Sequence, residues 1–233
     1  CDYAMKVDYL INIPVLKGHC QTNMTCALKN MKGCIPNSEK RKFHTMGLHK
    51  PIAYLNKLIK QNLIIVDGLN GDLNFEEGGN PVQMNRIIVG KDPVLIDTYA
   101  SHLMGFSIEE VPYIAMAEAI DVGTTDLVNA DIIELNKDSG SKKLKTSRRV
   151  QQLSRYIVED GACSACYGSL IYALERLDEK GLLVKLNKKL YIGQSFKNKQ
   201  YDGLGIGTCT SGFSKYVKGC PPHARDIVEY LAL

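Results

Sequence analysis

The chain has no tryptophan, and aromatic residues make up only 7% of it; that scarcity separates no class of function from another. The lack of a long apolar run says more. No hydrophobic stretch approaches the roughly 20 residues that a helix needs to cross a bilayer, so no membrane segment is expected. The chain also does not open with the basic-then-apolar leader and cleavage site of a secreted protein. Charge is nearly balanced: 29 Lys and Arg against 25 Asp and Glu leave +4, too mild to call for a nucleic acid or a membrane surface. Internal repeats and low-complexity tracts are missing too. What remains is ordinary for a globular chain, with 233 residues, 45% of them hydrophobic and 23% charged. That is enough to bury a core in one large domain or two small ones. The sequence starts on Cys1 and enters a strand-like run almost at once, which leads us to expect that upstream strands are missing.

Eight cysteines stand at positions 1, 20, 26, 34, 163, 166, 209 and 220. An even count is compatible with disulfides. Without a secretory leader, and in a chain well above mini-protein size, a metal or cluster is the stronger reading, and it implies a reducing, cytoplasmic setting.

The hydrophobic pattern predicts an α/β fold with a mostly parallel sheet flanked by helices, plus a smaller α+β region around the last cysteines. Tyr9 to Leu16 reads as a buried strand, and Thr22 or Asn23 could cap a short helix carrying Met24, Leu28 and Met31. A polar, basic loop is expected from Pro36 to His49, then a helix from Pro51 with Ile52, Leu55, Leu58 and Ile59 at helical spacing. Leu63 to Val66 is a continuous apolar run, as in a buried parallel strand, with Asp67 and Gly68 at its end. A loop over 70–81, a strand over Arg86 to Val89 and a helix opened by Asp92 and Pro93 follow. Ser107 and Glu110 form a capping box for a further helix, and Ile132 to Leu135 reads as another strand. Residues 136–149 are polar, basic and turn-rich, and mark the boundary between a domain over 1–140 and a second region over 150–233. There we expect helices over Val150 to Val158, after Cys163 and over Ala224 to Leu231, with short strands at Leu182 to Leu186 and Leu190 to Ile192.

Cys163-Ser-Ala-Cys166 is a C-x-x-C pair at the start of a helix. Two intervening residues let both sulfurs face one centre, and helix N–H groups favour their negative charge. Cys209 and Cys220 add two thiolates, each beside glycine that permits close approach: Gly203, Gly205 and Gly207 before the first, Gly219 before the second. Four thiolates suit an iron–sulfur cluster or tetrahedral zinc. The run Cys163-Ser-Ala-Cys166-Tyr-Gly-Ser169-Leu170, then Cys209, then Gly219-Cys220-Pro221-Pro222 resembles the proximal-cluster pattern of nickel–iron hydrogenase small subunits and the related Complex I subunit. That resemblance covers about 80 residues, with shorter distances between motifs, and implies a [4Fe-4S] cluster on Cys163, Cys166, Cys209 and Cys220. Zinc is the alternative occupant, although zinc ribbons usually carry two C-x-x-C knuckles. His223 reads as a surface residue at a helix start.

In the first half, polar residues follow predicted strands: Lys17 and His19, then Asp67, then Asp92 and Asp97. Open α/β sheets build sites at such strand ends. Lys29, Asn30 and Lys32 could add positive charge toward an anionic ligand. The aspartates also read as turn and cap residues and the lysines as solvated, whereas Lys17-Gly-His19 has no evident packing purpose. Lys17, His19 and Asp67 are therefore the candidate catalytic set. Cys20, Cys26 and Cys34 match no metal spacing, and His44 and His49 are weak ligand candidates. The segment Val7 to His19, then Thr25 to Gly33, His44, Asp67-Gly68 and Gly90 to Asp97 resembles the DUF362 family, which is associated with iron–sulfur proteins and has a poorly defined activity. The cysteine arrangement here departs from the ferredoxin-type repeat common in that family.

Three functions follow. The first is a redox protein whose cluster passes electrons to or from a partner protein. The second is an enzyme acting on a small anionic substrate through Lys17, His19 and Asp67. The third is a zinc-stabilised binding module, with the basic residues of 142–149 as its surface for nucleic acid; membrane binding is not expected.

Overall fold

A computed structural model describes residues 2–75, 81–135 and 148–232. It divides into two units, one of Cys1–Phe43 and Gly47–Ser147, the other of His44–Met46 and Arg148–Leu233. The α/β class is as expected: a four-stranded parallel sheet with helices, and a smaller mixed sheet. The parallel sheet belongs to the second unit and the mixed sheet to the first.

The first unit opens with α1 (Asp2–Lys6), β1 (Ile11–Asn12) and a hairpin of β2 (Lys17–His19) and β3 (Asn23–Thr25). After it come α2 (Ala27–Asn30), a 3-10 turn over Met31–Cys34, α3 (Asn37–Thr45) and α4 (His49–Leu58). The chain continues through β4 (Leu63–Asp72), β5 (Pro81–Gly90), α5 (Pro93–Leu103) and α6 (Tyr113–Glu118). In the sheet, β4 is central, parallel to β1 and antiparallel to β5. Ile64 and Val66 of β4 point into a core with Leu16, Met24, Leu28, Ile52, Val94 and Ile114.

Several expectations fail here for identifiable reasons. The segment from Tyr9 to Leu16 is not a buried strand. Ile11, Ile13 and Val15 face outward, with Ile13 63% exposed, while Asn12 is buried at 4%. Asn12 points inward because its amide has partners there. It donates to the Ala27 carbonyl (3.0 Å) and to Gln61 Oε1 (2.5 Å), and accepts from Asn30 Nδ2 (2.7 Å). Asn56 extends the network by donating to the Leu28 carbonyl and accepting from Gln61 Nε2. A buried amide without partners costs about 1–3 kcal/mol, so this network sets which way β1 faces. Ile87 and Val89 of β5 lie on the same outer face as Ile13 and Val15 and are also exposed. With an antiparallel neighbour, the apolar run of β4 is packed on one face only.

Asp67 lies in the middle of β4, not beyond its end, and pairs with Val15. The expected helix from Thr22 is a strand followed by the short α2, and the expected loop over 36–49 contains α3. Ile132 to Leu135 form no strand, and Ile133 and Leu135 are exposed. Asp92 caps α5 as expected, accepting from the N–H groups of Val94 (2.8 Å) and Leu95 (3.0 Å). Glu110 accepts from the Ser107 N–H (3.1 Å), but the expected helix is absent there: turns follow Ser107 and α6 starts only at Tyr113. The predicted boundary over 136–149 falls, for 136–147, outside the described residues.

The second unit runs α7 (Arg149–Ser154), β6 (Ile157–Glu159), α8 (Ser164–Glu179), β7 (Leu190–Ile192), β8 (Tyr201–Ile206), β9 (Phe213–Val217) and α9 (Ala224–Ala232). Its four strands pair in sequence order and all in parallel. The helix expected up to Val158 stops at Ser154 and gives way to β6; the strand expected at Leu182 to Leu186 is a 3-10 turn over Leu183–Lys185. Leu170, Ala173, Leu174 and Leu177 of α8 are buried as their helical spacing predicts. Arg149 fastens α7 to α8 through Glu175 and Asp178, both at 2.5 Å. Between β8 and β9 only residues 207–212 intervene. Six extended residues span at most about 20 Å, enough to retrace a strand of five. Tyr191, Phe196, Tyr201 and Phe213 form an aromatic group on this sheet, with ring centroids 4.9 to 5.8 Å apart. Among the described residues no helix is long and apolar enough to cross a membrane.

Candidate functional site

Sheet register explains where the four late cysteines fall. Glu159, Ile192, Ile206 and Val217 are paired across β6, β7, β8 and β9. Three residues beyond these come Ala162, Ser195, Cys209 and Cys220, and Cys163 directly follows Ala162. Cys163, Cys209 and Cys220 thus emerge from the C-terminal ends of parallel strands, where α/β sheets place ligands. Cys163 is also the N-cap of α8, and Cys166 lies in its first turn.

Backbone contacts hold the β8 and β9 ends together. Gly207 N–H donates to the Val217 carbonyl (2.8 Å) and Thr208 N–H to the Gly219 carbonyl (2.8 Å), with Thr208 Oγ1 donating to the same carbonyl at 3.1 Å. Gly219 has φ +142°, and a Cβ there would stand 2.4 Å from Pro222 Cα. No other residue fits between Cys220 and this turn.

None of the four is joined in a disulfide. Burial pushes the Cys166 thiol up to about 12, and charge on Cys163, Cys220 and Cys209 adds to the rise. Cys209 is also raised by burial, opposed by the Lys197 ammonium and reinforced by Cys220. Four thiolates gathered this way repel each other, so full ionisation calls for positive charge among them. Among the described residues, no group of three or more His, Cys, Asp or Glu stands ready for a single metal ion. One tetrahedral zinc draws its thiolates to within about 4 Å of one another, whereas a polynuclear cluster takes donors spread around a larger body. The donor set is all sulfur, drawn from three strand ends and a helix start, and is of the chemical kind that thiolate-held clusters use.

His44 belongs to this unit, with Nε2 3.5 Å from both the N and Oγ of Ser164, next to Cys163. Its sequence neighbours gave no signal of this placement; only its place in the family-like pattern singled it out. Ser195 Oγ donates to Asp160 Oδ1 (2.8 Å) at the β7 end. Spacing alone could not find Ser195 or Lys197, because both depend on strands whose pairing is not local.

The first-half candidates have mainly internal partners. His19 is buried, and its Nδ1 accepts from the N–H groups of Gln21 (3.1 Å) and Thr22 (3.2 Å). Lys17 and His19 lie in β2, where Gly18 passes so close to Leu73 that a Cβ would meet its carbonyl group at 2.6 Å. The Asp67 carboxylate accepts from the Leu69 N–H (3.0 Å). Lys29 is buried, with Nζ 3.1 Å from Thr25 Oγ1. Asp97 is wholly buried and accepts from the N–H groups of Ala27 (2.7 Å) and Leu28 (3.3 Å). Burial raises its carboxyl to about 7, against the hydrogen bonds from Cys26, Leu28, Ala27 and Tyr113. Cys26 is raised by the same burial and the nearby Asp97 charge, which makes it an inert, protonated thiol. His49 stacks on Tyr113 at 5.9 Å, and burial lowers its pKa.

Residues 1–102 match the family model described as a domain of unknown function, DUF362. The chain is 26% identical over 133 residues to the thylakoid-associated protein sll1697 of Synechocystis sp., an alignment covering 52% of this chain and 40% of that protein. The chain therefore spans less than half the length of this relative. No solved structure matches it significantly.

Proposed function

We propose that the chain holds a [4Fe-4S] cluster on Cys163, Cys166, Cys209 and Cys220 and serves in one-electron transfer in a reducing cytoplasm. The observation that carries this reading is geometric: Cys163, Cys209 and Cys220 follow the C-terminal ends of strands in one parallel sheet, and Cys166 lies in the first turn of the helix that Cys163 caps. Bound there, the cluster would supply reversible one-electron chemistry. The protein's part is to hold it. The α8 N-terminus favours negative charge at Cys163 and Cys166, the paired Thr208 and Gly219 segments fix Cys209 and Cys220, and Lys197 lowers the charge cost at Cys209. Cys220 and Pro221 are exposed, so a redox partner could approach this side.

The test is iron and acid-labile sulfide content, with a visible spectrum, on protein purified without oxygen. About four irons and four sulfides per chain, with absorption bleached by dithionite, is the expected result. One zinc per chain and no labile sulfide would overturn the redox reading in favour of a zinc-stabilised module. The Lys17, His19 and Asp67 set gains no such support: His19 Nδ1 accepts from the Gln21 and Thr22 N–H groups and the Asp67 carboxylate from the Leu69 N–H, all in their own turns.

A further inference from the structure

Charge is unevenly divided along the chain. Residues 1–135 carry twelve Lys and Arg against sixteen Asp and Glu, net −4, whereas 148–233 carry thirteen against eight, net +5. Ion pairing in the second unit makes the imbalance sharper. Arg149 takes Glu175 and Asp178, Arg176 takes Glu179, and Arg225 takes Asp226 and Glu229. Three of its arginines thus neutralise five of its eight acids. Glu159, Asp160 and Asp202 accept hydrogen bonds from Ala162 N–H, Ser195 Oγ and Ser214 Oγ. The excess is mostly lysine.

Three of those lysines lie just beyond the C-terminal ends of strands in the cysteine-bearing sheet. Lys197 and Lys199 follow β7; Lys218 directly follows β9, two residues before Cys220. All three are exposed, and among the described residues none has an ion-pair partner. Lys199 lies 5.9 Å over the Phe196 ring, in the turn that follows β7. Cys220 and Pro221, beyond the same β9 end as Lys218, are exposed. Isolated surface lysines are ordinary; unpaired lysines flanking the exposed end of a redox centre form a complementary surface for an acidic protein.

We infer that the edge bearing Lys197, Lys199 and Lys218 is the docking surface for a small acidic one-electron carrier protein, which exchanges electrons with the centre held by the four cysteines. This rests on the cluster reading above. One electron leaves the carrier's centre and enters the chain's cluster, or the reverse; no bond breaks and no proton need move. Electrostatic steering of this kind raises association rates by about 10- to 1000-fold at low salt and fades as the Debye length shortens.

The experiment uses the full chain, loaded anaerobically, and an acidic plant-type ferredoxin. Reduced ferredoxin is mixed with oxidised chain, and oxidised ferredoxin with reduced chain, so that one direction runs downhill. The expected second-order rate falls at least about tenfold between 20 and 300 mM salt. Lys199→Glu with Lys218→Glu should lower the low-salt rate by about tenfold or more, with iron and sulfide content unchanged. If that pair fails to load, Lys199→Gln with Lys218→Gln takes its place, and the salt dependence of the unaltered chain stands regardless. A loaded chain whose rate ignores both salt and substitution overturns the docking inference alone. A chain without labile sulfide overturns the cluster reading and this inference with it. Salt-sensitive binding of a 20-nucleotide single-stranded RNA, lost in the same variants and unaccompanied by electron transfer, would assign the edge to nucleic acid.

Discussion

The two units treat their polar motif residues in opposite ways. In the first, the polar residues of the family-like pattern are largely occupied in holding the chain together. Asn12 and Asn30 meet in an amide network, Asp97 receives the α2 N–H groups, and His19 closes its own turn. In the second, the cysteines are held in place by other groups, such as Thr208 and Gly219, and none of the four is joined in a disulfide. A distinctive motif is therefore not a site until its side chains have been shown to be available. Buried polar groups that hydrogen-bond to backbone help to stabilise a fold.

The largest effect should come from removing one sulfur on each side of that comparison. Cys166→Ala should abolish labile sulfide and visible absorption, because four ligands become three. Cys26→Ala should leave both intact and cost only packing stability. Equal iron content in the two variants would erase the distinction between the units.

Next in size is the pH response of Asp97. Its folded-state pKa is about 7, against 3.8 for an ordinary aspartate. Below pH 3.8 both folded and unfolded chains bind the proton. Above it the unfolded chain releases the proton while the folded chain keeps it, so the stability of the first unit falls as pH rises toward 7. The full span is about 4 kcal/mol, at roughly 1.4 kcal/mol per pH unit. Asp97→Asn should flatten this slope without altering cluster content. Thermal midpoints by circular dichroism at pH 4.5, 6 and 7.5 would check it, and an unchanged slope would show that another group governs the response.

Much of the second unit can be read locally. The C-x-x-C at a helix start and the apolar stripe of Leu170, Ala173, Leu174 and Leu177 announce α8 without further help. Strands β8 and β9 are harder to read, because Gly203 and Gly205 weaken one and Ser214 and Lys215 leave the other with little alternation. Their identity rests on parallel pairing with β7, and with it the shared position of Ser195, Cys209 and Cys220. In the first unit, Ile11, Ile13 and Val15 suggest burial, yet the inward residue is Asn12, whose partners Gln61 and Asn30 lie far along the chain. The helix α3 has no buried residue and hence no apolar stripe to reveal it. Local patterns reveal elements that bury one face by themselves; facing decided by distant amides or strand register is not written locally.

Two glycines offer a smaller, paired test. A Cβ on Gly18 would meet the Leu73 backbone at 2.6 Å, and one on Gly219 would meet Pro222 Cα at 2.4 Å with φ at +142°. Alanine at either position should destabilise its unit by about 1–3 kcal/mol. Only Gly219→Ala should also lower iron and sulfide content, since that turn sets Cys220. A loss of cluster in Gly18→Ala would tie the first unit to the site more closely than the comparison allows.

The smallest effect separates register from ligation. Ser195 occupies on β7 the place that Cys209 and Cys220 occupy on β8 and β9, yet its hydroxyl is directed to Asp160. If strand-end position alone made a ligand, Ser195→Ala would disturb the centre. On the proposed four-thiol donor set, the substitution should cost about 0.5–1 kcal/mol for the lost hydrogen bond and leave the visible spectrum unchanged. A shifted spectrum would bring β7 into the site and make the strand-end row, rather than the four cysteines, the unit that holds the cluster.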